Sequence, residues 1–332
     1  MKKLTWIPLL IIIVGVCIAL AGFAGGGGVK GIKGIAIDRG GIRIANTDLG
    51  ELVKVDENYT GVKEIEISID FLEKITLREG DGFSVRGQNY ERFGGLKSEQ
   101  IGDTLYVTAK QEGRWIGLGL SDLRRGWNRT DTWVEITFPK GTKLDNVRSD
   151  IAAGRLIITD LSASALLVSN DFGDVELSSI KANDVILNLS AGDAKVRDVS
   201  AEMLTVSNDF GKINLAGAVA NTLTMNISAG DLSADNVDTR DLFVDSDFGS
   251  VKFDRLVLSG TGIINMSSGE VNIGLNMSED DLGYDLSTSA GKVSVDGRTA
   301  GGIGGSISNR ISGDANLRVA SDFGAITLRF LK

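Results

Sequence analysis

Glycine recurs at a fixed interval through the second half of the chain. The residue number rises by 19 at each of five consecutive steps, through Gly154, Gly173, Gly192, Gly211, Gly230 and Gly249. The step then lengthens to 20 at Gly269 and to 22 at Gly291 and Gly313. Equal spacing of this kind is the sequence signature of a repeat architecture. A unit this short cannot bury its own apolar face, so successive units must stack and share one core.

The residues between these glycines have the pattern of β-strands. Residues 174–177 alternate polar and apolar side chains, and residues 184–189 form a second such run within the same unit. An alternation with a period of two is typical of a half-buried strand. Each unit is therefore predicted to hold two short strands and one glycine corner. Residues one glycine period apart should lie in register in neighbouring parallel strands, with Val168 over Leu187 and Leu187 over Val206.

A longer period is superimposed on the first, because the two residues before the corner glycine alternate between units. Asp-Phe occurs at 171–172, 209–210, 247–248 and 322–323, whereas Ser-Ala occurs at 190–191 and 228–229. Stacked strands lie about 4.8 Å apart, so aspartates in every second unit are separated by about 9.6 Å. This distance is close to the screening length at ordinary salt. Packing a large ring over a small side chain is expected to fill a narrow corner without overpacking it. A kinase carries Asp-Phe-Gly once, beside other catalytic loops, so the repeated triplet is interpreted as structural.

The N-terminus has the pattern of a membrane anchor. Lys2 and Lys3 precede an uncharged apolar run at 4–24, which as a helix would span about 30 Å, the thickness of the bilayer's hydrocarbon core. The lysines favour the cytoplasmic side, so residues 1–3 are predicted to be a cytoplasmic tip and 25–28 a glycine tether. The rest is predicted to lie outside the cytoplasm, held in the cell membrane by one span. A cleaved signal peptide is the alternative, because residues 19–21 resemble a small-x-small cleavage site.

The composition excludes several kinds of chemistry. The chain has no histidine, and its single cysteine, Cys17, lies inside the apolar run. Catalysis by Ser-His-Asp or Cys-His, nearly every structural zinc site and an internal disulfide are thereby excluded. From Asp150 onward the chain carries 25 acidic and 14 basic residues, which argues against a nucleic-acid partner. We predict no catalytic residue, no cofactor and no metal site, although acidic corner columns leave weak calcium binding as an alternative.

The first half of the chain is also predicted to be β structure. Residues 64–69, 105–108 and 133–138 alternate cleanly, with glycine-containing bends between such runs. The predicted fold is all-β. Residues 29–145 are expected to form an irregular N-terminal cap. Residues 146–332 are expected to form a parallel β-helix or solenoid, in which the glycine spacing sets the length of each coil.

One segment of the cap combines basic and aromatic residues in a way that folding does not require. Its members are Arg114, Trp115, Arg124, Arg125, Trp127, Arg129 and Trp133. Basic and aromatic side chains together suit anionic lipid head groups, polyanionic wall polymers or sugar faces. The segment is therefore a candidate site for an anionic surface. The alternative is a long hairpin whose tryptophans cover the core of the cap.

The chain resembles the putative-adhesin family of bacterial envelope proteins, a domain of unknown function built from β-strand repeats. The resemblance is carried by residues 134–139, 144–147 and 153–158 and by the Ser-Ala-Gly-Asp and Asp-Phe-Gly corners, and it covers about 60–330. It implies a non-catalytic surface protein, acting in adhesin-like binding or as an envelope-sensing scaffold, with another envelope protein as a further partner class. A polysaccharide-active β-helix enzyme, a lyase or a hydrolase, is the alternative.

Overall fold

The computed structural model describes residues 50–111, 131–310 and 314–331 in full, and residues 35–38 and 41–44 as backbone strands. The chain divides into two units. In one, β1 (Ile35–Asp38) and β2 (Gly41–Ile44) form an antiparallel hairpin. The predicted anchor and tether, residues 4–28, lie outside the described residues. No helix in the described part of the chain is long and apolar enough to span a bilayer.

The second unit holds sixteen strands and two short 3-10 helices, Glu91–Phe93 and Glu279–Asp281. The strands are β3 (Leu52–Tyr59), β4 (Glu64–Ile69), β5 (Lys74–Gly80), β6 (Phe83–Tyr90), β7 (Lys97–Ile101), β8 (Thr104–Ala109), β9 (Trp133–Pro139), β10 (Lys143–Ala153), β11 (Arg155–Thr159), β12 (Ser162–Phe172), β13 (Val175–Ala191), β14 (Ala194–Leu258), β15 (Thr261–Leu275), β16 (Gly283–Val295), β17 (Arg298–Asn309) and β18 (Asn316–Phe330). Strand hydrogen bonding continues around several corners, so β14 covers successive layers. The all-β prediction is confirmed for the part of the chain described.

The strands stack in parallel with the predicted register. Val168 of β12 pairs with Leu187 of β13, and Leu187 pairs with Val206 of β14. These inward side chains are fully buried. Each successive layer therefore adds aliphatic residues to one continuous core. The solenoid prediction is confirmed, because the glycine period and the alternation within each strand specify the same register.

Parallel stacking begins before residue 146, within the region where an irregular cap was predicted. β4 pairs in parallel with both β8 and β10, and β5 pairs in parallel with both β9 and β11. The layer formed by β4 and β5 therefore lies between two layers that come later in the chain. The antiparallel strands β3, β6 and β7 then cover this end. Covering the terminal layer in this way removes an exposed parallel edge that would invite further strand pairing.

The opposite end of the stack is also out of chain order. β18 pairs in parallel with β15 on one side and with β16 on the other. The strand that comes last thus occupies the place between two earlier strands, and β17 covers β16 in antiparallel pairing.

The corner glycines stack directly on one another. A Cβ atom built on Gly192 would lie 2.0 Å from the carbonyl oxygen of Gly173, and one built on Gly230 would lie 1.9 Å from that of Gly211. Gly173 and Gly192 also have φ values of +131° and +147°, which L side chains rarely adopt. Only glycine therefore permits the layers to approach this closely at the corner.

A phenylalanine column on the surface of the stack

Most of the basic and aromatic site predicted from the sequence lies outside the described residues. This applies to Arg114, Trp115, Arg124, Arg125, Trp127 and Arg129. Trp133 is described: it begins β9, pairs with Lys74 and Gln88, and is 37% exposed. The anionic-surface site remains a prediction.

The corner phenylalanines point outward, contrary to the expectation that they fill the corner. Phe172, Phe210, Phe248 and Phe323 are 64%, 63%, 61% and 62% exposed. The reason lies in the backbone at the glycine corner. The in-and-out alternation of the strand slips by one residue there, so Asn170 is buried while Asp171 and Phe172 are both exposed.

Large and small side chains alternate along one column through the stack. The paired registers and the stacked glycines give the order Ala153, Phe172, Ala191, Phe210, Ala229, Phe248, Ser268, Phe323, Ala290 and Ile303. Ile303, which ends this column, is 97% exposed. In chain order Ser268 would be followed by Ala290, which would place two small residues together. The insertion of β18 sets Phe323 between them and keeps the alternation.

The column forms a regular ridge of aromatic surface. Phenylalanines occur in every second layer, so neighbouring rings are about 9.6 Å apart, twice the strand spacing. Together the four exposed rings contribute roughly 500 Å² of apolar surface. An exposed apolar patch of this size on a soluble domain often marks a binding surface. The half-buried Ala191 and Ala229 form troughs between neighbouring rings.

Buried polar side chains support the phenylalanine layers from inside. The Nδ2 atom of Asn170 donates to the carbonyl oxygen of Gly154 at 3.0 Å, and that of Asn208 donates to Gly192 at 3.1 Å. Both asparagines are 1% exposed. Their equivalent in the intervening layer is the apolar Leu189, which pairs with both asparagines. The side-chain amides therefore tie the layers from which Phe172 and Phe210 project to the corner backbone of the layers that precede them.

Carboxylates line both sides of the phenylalanine column. On one side, the exposed residues that immediately precede the rings are Asp171, Asp209, Asp247 and Asp322. On the other side, beyond the corner, Asp174 accepts a hydrogen bond from the backbone N–H of Asp193 at 3.1 Å, and Asp231 accepts one from that of Ser250 at 3.1 Å. The row that precedes the rings is therefore acidic, whereas the row beyond the corner mixes four acidic residues with Arg155, Lys212 and Lys292.

Burial and neighbouring charges shift the pKa of Glu73 and of Glu176. Burial raises the pKa of Glu73, and the charge of Asp131 adds to the effect. For Glu176, burial acts to raise the pKa, but hydrogen bonds and charges from Arg155 and Lys195 outweigh it and the pKa is lowered. In the part of the chain that the structure describes, no group of three or more His, Cys, Asp or Glu side chains is arranged to hold a metal ion.

Comparison with known proteins places this architecture in context. Residues 62–329 match the model of the Toastrack DUF4097 family. Among solved structures, the chain is similar to a putative lipid-binding protein from Parabacteroides distasonis, at 14% identity and a TM-score of 0.46 over 85% of this chain and 98% of that one. It is also similar to a putative adhesin from Bacteroides fragilis, at 13% identity and a TM-score of 0.38 over 84% and 97% of the two chains. A putative cell adhesion protein from Clostridium sporogenes matches at 10% identity and a TM-score of 0.30 over 84% and 99%. No curated protein matches the chain.

Proposed function

This chain belongs to the Toastrack DUF4097 family, and from its surface we propose that the β body is a non-catalytic binding module with an adhesin-like role outside the cytoplasm. The observation that carries the proposal is the exposed column of Phe172, Phe210, Phe248 and Phe323. A polar side chain at such exposed positions would serve the fold equally well. Four aromatic rings repeated on one line therefore point to a ligand rather than to the core.

The stacked scaffold suits a binding role. Each ring projects from a strand that is hydrogen-bonded to layers on both sides, and the corner beneath it is closed by stacked glycines. Binding costs free energy when loops and side chains must be ordered. Rings presented by a rigid backbone at fixed intervals avoid much of that cost.

The location of the body forms part of the same proposal. Residues 4–24 would hold the protein in the cell membrane, with residues 25–28 as the tether and the β body on the outer side. The arginine and tryptophan segment around Trp127 would then lie within reach of anionic lipid or wall polymer. Another envelope protein is the remaining partner class.

The test is adhesion by cells that carry the full-length chain. Wild type should retain at least one purified envelope fraction, and replacing Phe172, Phe210, Phe248 and Phe323 together with Ser should abolish that retention. A matched control replaces Ile101 and Val219, which are 60% and 54% exposed, with Ser and should leave retention unchanged. Adhesion that survives the fourfold substitution would contradict the proposed site.

A separate measurement addresses catalysis. The full-length protein is incubated with uronic-acid and wall polysaccharides, and the release of new chain ends is followed. We expect no turnover. Turnover that disappears in Asp209→Asn would instead establish a polysaccharide-active enzyme, and the non-catalytic assignment would be wrong.

A further inference from the structure

The spacing and chemistry of the phenylalanine column narrow the class of ligand. We propose that this column binds an extended, neutral β-1,4-linked polysaccharide, with one phenylalanine contacting every second sugar ring. The inference rests on the proposed binding function and names its ligand class. Three features of the column lead to it: its period, its troughs and its charge.

The period of the column matches a polymer that repeats every two rings. Neighbouring phenylalanines, such as Phe172 and Phe210, are separated by two strand spacings, or about 9.6 Å. In an extended β-1,4-linked glycan each ring is turned over relative to the one before. The same face of the polymer therefore returns once per disaccharide, at a distance comparable with this separation. A regular ligand can thus meet each ring in the same way along the whole column.

The troughs between the rings give room for the intervening sugars. Phe210 is flanked in the column by Ala191 and Ala229, both of which are half-buried and short. The apolar C–H face of a sugar would lie against each aromatic ring, whose face carries partial negative charge. The sugar between two such contacts would lie over alanine, where Ser190 and Ser228 present exposed hydroxyls beside it.

The acidic row beside the rings favours a neutral polymer rich in hydroxyl groups. Asp171, Asp209 and Asp247 are exposed beside the rings, and carboxylates are strong acceptors for hydroxyl donors. Asp209 already accepts a hydrogen bond from the Ser228 hydroxyl at 3.4 Å. The same carboxylates repel phosphate-containing and uronic-acid polymers. They also disfavour any face-to-face association of two copies in which the two acidic rows lie opposite each other.

The experiment measures binding of the full-length protein in detergent micelles to soluble oligosaccharides by calorimetry. The probes are cello-oligosaccharides and N-acetylated chito-oligosaccharides of increasing length. Malto-oligosaccharides have the sugar of the cello series with α linkages and serve as the shape control, and polygalacturonate serves as the charge control. Affinity should rise with each added disaccharide in the β-linked series. Neither control should bind.

Substitutions then locate the site. Phe210→Ala should weaken binding of the longer β-linked oligosaccharides about fivefold, and the pair Phe210→Ala and Phe248→Ala should weaken it further, since each ring contributes on the order of 1 kcal/mol. Phe210→Tyr keeps the ring and should retain binding. The control pair Ile101→Ala and Val219→Ala lies at exposed apolar positions away from the column and should have no effect.

The other outcomes overturn the inference in distinguishable ways. Binding to polygalacturonate or anionic vesicles that depends on Phe210, without binding to neutral glycans, would refute the ligand class and leave the proposed function standing. A dimer in sedimentation that dissociates on Phe210→Ala would make the column a self-association face. Adhesion to envelope fractions that is lost in the fourfold serine variant, with no glycan binding, would refute this inference alone. An absence of both would refute the function as well.

Discussion

The carbonyl oxygen of Gly192 lies only 2.0 Å from the position that a Cβ atom on Gly211 would occupy. The neighbouring atom belongs to the backbone, so it cannot turn away as a side chain would. Gly211→Ala should therefore destabilise the protein by about 3 kcal/mol or more, measured as the free energy of unfolding in urea. Gly82→Ala is the control, because a Cβ there meets no atom within 4 Å. A Gly211→Ala variant as stable as the control would show that the layers are not closely packed at the corner.

The position of each phenylalanine relative to the core predicts its effect on stability. Phe253 is 1% exposed and Phe210 is 63% exposed. Phe253→Ala should cost about 3–5 kcal/mol because it leaves a cavity in the core, whereas Phe210→Ala should cost less than about 1 kcal/mol. Thermal or chemical denaturation measures both. Comparable losses for the two variants would mean that Phe210 packs inside the corner after all.

The sequence predicts the central part of this fold well, because two patterns specify it independently. The glycine period places Leu187 between Val168 and Val206, and the alternation of apolar and polar residues selects the same register. The order of layers at the C-terminal end was not predicted. The signal for it was present, since only insertion of Phe323 between Ser268 and Ala290 continues the large and small alternation. The alternation is hidden when the layers are assumed to follow one another in chain order.

The candidate site was missed for a different physical reason. The alternating pattern assumes a straight strand, in which residues two positions apart lie on the same face. It therefore assigns Asn170 and Phe172 to the same face. The glycine corner, with Gly173 at a φ of +131°, changes the direction of the chain at this point. Phe172 therefore leaves the inner face on which Asn170 remains. A pattern of residue types cannot show such a change of direction, which depends on the backbone conformation of one glycine.

An ion-pair ladder across three layers should make stability depend on pH. Arg155 and Lys195 contact the same Oε1 atom of Glu176 at 2.8 Å and 3.2 Å, and the pKa of Glu176 is lowered in the fold. A lowered carboxyl pKa contributes stability above the ordinary pKa of glutamate, and that contribution is lost as the pH falls through the folded-state pKa. Wild type should exceed Glu176→Gln in stability by about 1 kcal/mol or less at neutral pH, and the difference should vanish in acid.

A double-mutant cycle checks that the effect belongs to this ladder. Lys195→Met should cost less in the Glu176→Gln background than in wild type at neutral pH, because its partner has already been removed. In acid the two costs should converge. Equal costs at both pH values would show that Glu176 and Lys195 do not interact in solution.

The arginine and tryptophan segment predicts a salt-sensitive attraction to anionic surfaces. Each basic side chain near a charged membrane contributes on the order of 1 kcal/mol, so replacing Arg124, Arg125 and Arg129 with Ser should abolish the preference of the protein for anionic over neutral vesicles. Co-sedimentation at low and high salt measures this preference. The matched control replaces Lys54, Arg197 and Arg240, three exposed bases elsewhere, with Ser. Wild-type protein that ignores anionic vesicles and wall polymers alike would refute the hypothesis.

The predicted topology can be examined in cells. Lys2, Lys3 and the apolar run 4–24 predict an N-terminus inside the cytoplasm and a body outside it. Protease added to intact spheroplasts should therefore degrade the β body. Complete protection, with digestion only after lysis, would show that the body is not exported.

The position of β18 between β15 and β16 has a consequence for how the protein is assembled. Layers cannot all be added in the order in which the chain is synthesised, since β16 and β17 precede the strand that joins them to the rest of the sheet. A chain that ends before β18 would not yield a shorter solenoid. It would leave the β16–β17 hairpin without its connection to the stack and expose an unpaired edge on β15, the kind of surface that proteases and chaperones recognise. A truncated chain would therefore differ from the finished protein by an exposed strand edge that β18 otherwise covers.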